Sequence, residues 1–194
     1  MPRQVKKTSI KLNLGCGDNK MDGYVNIDVE PNCKPDLLWD FVTKPLPYED
    51  DIVDEVVLFH CIEHIRKFLH PRILTHIRRV LKPEGLLLVS YPEFERCVEN
   101  WKSNYRGQKD FWEKTIFGRQ LFPSDHHVCI MHTPDFTKLL RSQGFTKILV
   151  RPEVEEPHNT IVKSIKNSLF TTYEKLIEQD MTSTKFKRIR VDRS

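Results

Sequence analysis

The sequence predicts an α/β fold in which a parallel sheet carries helices on both faces. Short apolar segments alternate with longer segments of helical apolar spacing, which is typical of strand–helix–strand units. The first two apolar segments are joined by a turn that contains Gly15 and Gly17, where bare backbone permits both a sharp turn and a close ligand. With 194 residues, 39% of them hydrophobic, the chain is long enough to form one domain with a sizeable core.

Four strands are predicted in the amino-terminal half, near residues 9–14, 25–28, 36–39 and 53–59. A helix from residue 72 follows, because five apolar residues form a single stripe at helical spacing: Ile73, Leu74, Ile77, Val80 and Leu81. Pro83 and Gly85 are expected to end this helix. Residues 86–90 are entirely apolar apart from a final serine, which predicts a fifth, fully buried strand.

A later helix has clear boundary signals, with Thr133 as its N-cap, Pro134 at the first helical position and Gly144 at its end. Two more strands are predicted at 145–150 and 160–165. Residues 168–180 form a final amphipathic helix, which could pack back on the domain or mediate a homodimer. We therefore predict a domain at 1–167 with an aromatic-rich insertion at about 94–132, followed by a helix and a basic tail at 168–194.

The glycine turn and Asp28, at the end of the second strand, resemble half of a nucleoside-binding site, since a carboxylate there can accept both ribose hydroxyls. A nicotinamide dinucleotide is disfavoured on two grounds. Lys20 stands where the dinucleotide motif has its third glycine. Asp28 also follows Gly17 much more closely than the usual spacing of about 20 residues.

Five motifs occur in order along the chain: LNLGCG at 12–17, GYVNID at 23–28, DLLWD at 36–40, VDEVVLFHCIEH at 53–64 and RVLKPEG at 79–85. Together they resemble the class I S-adenosylmethionine-dependent methyltransferases, in particular the small type 11 branch. The resemblance implies a Rossmann-like sheet that is mostly parallel, with the last strand antiparallel. It also implies S-adenosyl-L-methionine as the cofactor.

The resemblance assigns the cofactor to the glycine turn and its neighbours, namely Asn13, Gly15, Cys16, Gly17 and Asp28. Asp40 matches the position at which related enzymes hold the adenine amino group, and Leu38 or Phe41 would form an apolar wall. His60 ends the fourth strand, at the sheet edge where α/β proteins bind ligands, and is expected to line the cofactor or substrate. Three alternatives stay open: strand capping for Asn13, a solvated loop aspartate at Asp40, and a helix start at His60.

A second cluster, at 124–132, holds three candidates for a general base, His126, His127 and His132. In relatives a histidine often precedes the helix that ends in "GF", and His127 matches it best, so His127 and His132 are the catalytic candidates. Ordinary loop histidines are the alternative, and no recognised metal-ligand spacing is present, so no metal site is predicted. The aromatic residues between 94 and 122 could cover an acceptor or simply form core.

The predicted reaction is methyl transfer to an oxygen or nitrogen of a small-molecule or saccharide acceptor, the saccharide being suggested by the resemblance alone. The sequence has neither the Asp/Asn-Pro-Pro-aromatic motif nor the Pro-Cys nucleophile of DNA base methylation. A non-catalytic S-adenosylmethionine-binding scaffold is one alternative. Another is a zinc peptidase, because residues 60–64 read H-x-x-E-H, but that motif requires a helix through a segment of β-prone residues.

Bulk composition favours a cytoplasmic protein without a membrane partner, since no apolar run reaches the length of about 18 residues needed to span a bilayer. The five cysteines have no C-x-x-C spacing, which predicts reduced thiols. A net charge of +4 does not indicate a nucleic-acid partner. The basic residues near the carboxyl end are expected to form a solvated tail, with an anionic partner as the alternative.

Overall fold

A computed structural model describes residues 9–121, 125–154 and 156–168. Within these residues there are seven strands: β1 Lys11–Leu14, β2 Val25–Asp28, β3 Leu37–Leu38, β4 Val53–Phe59, β5 Leu81–Pro92, β6 Phe145–Pro152 and β7 Asn159–Lys166. They form one sheet in the order β3-β2-β1-β4-β5-β7-β6. Neighbouring strands are parallel except that β7 runs antiparallel to both β5 and β6. The predicted sheet, mostly parallel with its last strand antiparallel, is confirmed.

Among the described residues, four complete α-helices surround the sheet: α1 His70–Val80, α2 Phe94–Lys102, α3 Lys109–Phe117 and α4 Thr133–Ser142. The apolar stripe of α1, which includes Ile73 and Ile77, is fully buried. It shares one core with alternate residues of the central strands, such as Leu12, Val56 and Leu87, because successive side chains of a strand point to opposite faces. None of the helices in the described part of the chain is long and apolar enough to cross a membrane.

The helix boundaries differ from the predicted ones at two places. Helix α1 ends at Val80 because Leu81 is extended and pairs with Val53, so β5 already contains the Lys-Pro-Glu-Gly segment that was expected to end the helix. The predicted N-cap Thr133 is the first helical residue, and His132 occupies the cap position. The Thr133 hydroxyl donates a hydrogen bond to the buried Glu93 carboxylate. It is therefore directed to this acid and does not cap the start of the helix.

The first three strands are connected without any α-helix. In this part of the chain the structure has only a 3-10 turn at Pro31–Cys33. The loop from the carboxyl end of β1 to the amino end of the parallel strand β2 consequently contains no helix. The predicted terminal helix and basic tail fall almost entirely beyond residue 168, outside the described residues.

Candidate functional site

The glycine turn lies directly beside the end of β2. Both the Gly15 and Cys16 N–H groups donate to the Ile27 carbonyl, at 2.8 and 3.2 Å. Gly15 and Gly17 have φ angles of +67° and +48°, a region that residues with a Cβ rarely adopt. The turn therefore requires glycine for its conformation.

Asp28 faces the same turn. Its Oδ2 accepts a hydrogen bond from the Gly17 N–H at 2.8 Å, and its Oδ1 accepts one from the Glu30 N–H at 2.9 Å. A carboxylate has about four acceptor positions, so these two backbone contacts orient it and still leave one position on each oxygen. A partly exposed carboxylate held in this way can accept two further hydroxyl groups.

Asn13 takes part in a network inside the loop. Its side chain is 3% exposed, and its Nδ2 donates to the Asn19 carbonyl at 3.0 Å and to Asn26 Oδ1 at 2.9 Å. Asn26 Oδ1 also accepts from the Met21 N–H, and both nitrogens of Asn26 donate to Asp36, which lowers the pKa of that carboxyl. Both amide hydrogens of Asn13 therefore already have partners within the loop.

Three other predicted cofactor residues lie around this loop. Asp40 accepts hydrogen bonds from the Val42 and Thr43 N–H groups and the Thr43 hydroxyl; burial opposes ionisation, but these donors outweigh it and lower the pKa of Asp40. The Phe41 side chain is buried in the main core. The Cys16 thiol is buried as well, and this burial raises its pKa to about 11. Asp40 is thus the one of the three whose side chain is partly exposed.

His60 follows the last residue of β4 and has a φ of +50°. Its ring lies 3.5 Å from Glu63 Oε1 and 3.8 Å from Glu153 Oε2. Burial lowers the pKa of His60, but the neighbouring carboxylates outweigh that effect and raise it. Because β4 ends before His60 and a separate 3-10 turn covers Ile62–His64, no continuous helix passes through the H-x-x-E-H sequence. The peptidase arrangement is therefore absent.

The two predicted catalytic histidines lie in different clusters. His127 is largely buried, with its Nε2 4.0 Å from Glu63 Oε1 and its ring edge-on to His64 at 4.7 Å between centroids. Burial lowers the pKa of His127. His132 is partly exposed, with its Nδ1 3.4 Å from Glu95 Oε1. The backbone carbonyl of Glu63 accepts from the N–H groups that follow His127, which holds this loop against the end of β4.

A small cavity opens between the ends of β4 and β5 and the helices α2 and α3. Apolar side chains such as Phe94, Ile116 and Met131 line it, together with Glu63 and His127. The aromatic insertion thus covers this edge of the sheet, although Trp112 itself is core and Phe117 is exposed. The cavity thus has mainly apolar walls, with the polar side chains of Glu63, Thr115 and His127 among its lining.

Sequence reasoning missed two buried acids, Glu63 and Glu93. In the sequence, Glu63 stands out only as part of the H-x-x-E-H pattern, and Glu93 does not stand out. Each lies just beyond a strand, β4 or β5, at the carboxyl edge of the sheet. The available signal was an acid at most four residues after the mostly apolar second half of a strand, since acidic residues are seldom fully buried without a partner.

Comparison with known proteins gives a consistent picture. A family model described as a methyltransferase domain matches residues 13–150, more than half of the 194 residues. No curated protein matches the chain significantly.

Among solved structures, an Archaeoglobus fulgidus SAM-dependent methyltransferase is similar with a TM-score of 0.60 and 13% identity, covering 81% of this chain and 86% of that one. One from Methanosarcina mazei gives 0.58 and 16% identity, covering 84% and 94%. A Haemonchus contortus phosphoethanolamine N-methyltransferase, bound to phosphomonomethylethanolamine and S-adenosylhomocysteine, gives 0.55 and 13%, covering 82% and 49%. At these identities the structural likeness concerns the fold.

Proposed function

Because the chain belongs to the methyltransferase domain family, we propose that it transfers the methyl group of S-adenosylmethionine to an oxygen or nitrogen of a small-molecule or saccharide acceptor. The protein is a methyltransferase, and its cofactor is S-adenosylmethionine. What the family does not specify is where the cofactor is held, which residues meet the acceptor and what the acceptor is.

One observation carries the cofactor site: the Gly17 N–H donates to Asp28 at the point where β1 and β2 end side by side. We assign the ribose hydroxyls to the open acceptor positions of Asp28 and the rest of the adenosyl group to the bare backbone of Gly15 and Gly17. Asp40 would face the adenine. Cys16 and Phe41 would then contribute backbone and packing, Asn13 would hold the loop, and His60 would border the methyl-donor end.

The acceptor is assigned to the cavity beneath α2 and α3. Methyl transfer is an in-line displacement at a sulfonium, so it depends first on positioning the acceptor atom. His127 lines this cavity and His132 does not, which favours His127 as the residue that meets the acceptor. A small cavity with apolar walls suits a small molecule, and the phosphoethanolamine enzyme of the same fold was solved with a small amine.

The domain arrangement follows from this assignment. We take residues 1–167 as the catalytic domain and the insertion at about 94–132 as the acceptor cover. The segment from 168 onward is an addition to that domain.

Cofactor binding tests the proposal directly. The wild-type melting temperature should rise with S-adenosylhomocysteine and stay unchanged with NAD. Asp28→Asn should weaken binding of S-adenosylhomocysteine, measured by titration calorimetry. Hydrogen bonds to a charged acceptor contribute about 1.5–3 kcal/mol each, and a tenfold change in affinity corresponds to about 1.4 kcal/mol. Removing the charge that accepts from two ribose hydroxyls should therefore lower the affinity for S-adenosylhomocysteine at least tenfold.

Glu30→Gln is the matched control, because it removes the same charge from a partly exposed neighbour. Equal affinity for wild type and Asp28→Asn, or an equal loss in Glu30→Gln, would contradict the assignment of the ribose. A screen of hydroxyl, amine and saccharide acceptors with labelled S-adenosylmethionine identifies the acceptor. Tight cofactor binding without turnover on any of them would indicate the non-catalytic scaffold instead.

A further inference from the structure

Glu63 is buried in a way that calls for a positive partner. Its side chain is only 2% exposed, and neither carboxylate oxygen accepts a hydrogen bond from any residue that the structure describes. Burying a carboxylate without compensating hydrogen bonds is costly. Buried charges in proteins are accordingly paired with another charge or bound to a metal.

Two histidines near Glu63 are oriented by the backbone. His64 Nδ1 lies 3.0 Å from the His126 carbonyl, and His127 Nδ1 lies 3.2 Å from the Ile116 carbonyl. A carbonyl only accepts hydrogen bonds, so each Nδ1 carries the hydrogen and each Nε2 of the neutral ring keeps its lone pair. This second contact, from one ring nitrogen to a backbone carbonyl, is characteristic of histidines that ligate metals through the other nitrogen.

The potential ligand atoms converge. Glu63, His64 and His127 each offer one ligand atom, and these atoms all lie within 4.8 Å of one another. We propose that these three side chains form a binding site for a divalent first-row transition cation. Two imidazoles and one carboxylate are the protein ligands of many catalytic zinc sites, and the same set binds other first-row metals with open positions.

An ion pair between Glu63 and a protonated His60 is the competing explanation. His60 Nδ1 lies 3.5 Å from Glu63 Oε1, and the ring is 39% exposed. Such a pair would leave Glu63 Oε2 without a partner and would not explain why backbone carbonyls orient two other histidine rings within reach of the same carboxylate. A cation accounts for all three groups together.

The position of the cluster suggests the kind of acceptor, an inference that rests on the proposed function. Glu63 and His127 line the cavity, so a cation there would leave a coordination position open to it. An acceptor hydroxyl bound at that position would release its proton to water, because coordination lowers its pKa. The oxygen lone pair then forms the new bond to the methyl carbon, and the electrons of the sulfur–carbon bond return to sulfur to leave a neutral thioether. The cluster thus favours O-methylation.

Metal titration tests the site without relying on turnover. Full-length protein is stripped with a chelator and titrated with Co²⁺, with visible absorption as the readout and Zn²⁺ calorimetry in parallel. We expect one equivalent to bind with the absorption of a nitrogen- and oxygen-ligated cobalt. Glu63→Gln and His127→Ala should each weaken binding by at least about tenfold. His76→Ala is the matched control, because His76 lies on α1 outside the cluster, and should bind as wild type does.

The same samples are tested for S-adenosylhomocysteine binding, which separates the two proposals. Absence of cobalt binding, or equal cobalt binding by wild type and Glu63→Gln, would overturn the cation site, whether or not S-adenosylhomocysteine binds normally. The ion pair with His60 would then be the explanation for the buried Glu63 carboxylate. Loss of S-adenosylhomocysteine binding in the metal-free wild type would instead refute the proposed function. If Glu63→Gln does not fold, as judged by circular dichroism, His64→Ala replaces it with the same expected loss.

Discussion

Replacing Gly15 by alanine should disturb the cofactor loop more than any comparable glycine change nearby. The added Cβ would lie 2.2 Å from Cys61 Sγ and 2.9 Å from Cys61 Cβ, distances that real Cβ atoms do not show. Cys61 is itself buried beside the end of β4, so it has little room to move. The residue must also hold a φ of +67°.

The size of the effect follows from these two terms. A left-handed conformation costs a residue with a Cβ about 1–2 kcal/mol, and forcing an extra methyl group into a packed site costs about 1–3 kcal/mol. Gly15→Ala should therefore lower the free energy of unfolding by about 2–5 kcal/mol. Gly23→Ala is the control on the same loop, because its φ is +80° but nothing lies within 4 Å of its added Cβ, so only the first term applies.

Urea unfolding of both variants measures the difference. The double variant Gly15→Ala with Cys61→Gly removes the obstructing side chain, and a double-mutant cycle should give a favourable coupling of at least about 1 kcal/mol between the two positions. A stability of Gly15→Ala equal to that of Gly23→Ala would refute the close packing of the turn on Cys61. Strict additivity in the cycle would refute it as well.

Two further predictions concern stability away from the loop. Lys166 is buried, and its ammonium group hydrogen-bonds to Asp51 and to a backbone carbonyl. Lys166→Met should therefore lower the free energy of unfolding, measured with urea, by about 3 kcal/mol. Lys163 is exposed on the same strand, so Lys163→Met should lower it by under about 0.5 kcal/mol. Burial opposes ionisation of Asp54, but Lys82 and a backbone N–H outweigh it and lower its pKa. Its stabilisation is therefore present above the unfolded pKa of about 3.9 and lost as pH falls through the lower folded value. Asp54→Asn should lower the free energy of unfolding by about 1 kcal/mol at pH 7, allowing for solvent screening, and should leave it unchanged near pH 2. A loss of stability that is the same at both pH values would contradict this.

The fold was predictable because its signals are local. Alternating apolar segments identified the strands, and the short spacing between β1 and β2 left room for at most a turn or two of helix there. The proximity of Gly17 and Asp28 was also predictable, since adjacent parallel strands bring their carboxyl ends to the same sheet edge. Thr133 shows where such reasoning fails: the sequence has a good capping residue there, but a buried carboxylate from another element binds its hydroxyl.

The acceptor half of the site could not be predicted for a related reason. Glu63 and His127 are far apart in sequence, and hydrogen bonds from the loop around residue 128 to the Glu63 carbonyl, together with the contact of His64 Nδ1 with the His126 carbonyl, bring them together. The sequence pattern H-x-x-E-H suggested His60 and His64 as partners on one helix. The break after β4 separates that pair and makes His64 the partner of a histidine from the insertion instead.

A single short loop links the two halves. Cys61 packs against the glycine turn, on the side proposed for the cofactor, and Glu63 lies two positions further along the same loop, at the wall of the cavity proposed for the acceptor. The absence of a Cβ at Gly15 is what allows the turn to approach this loop. The packing of Gly15 on Cys61 therefore fixes how close a methyl donor on the glycine turn can come to an acceptor held near Glu63, and a change at Gly15 should impair methyl transfer even where cofactor affinity is retained.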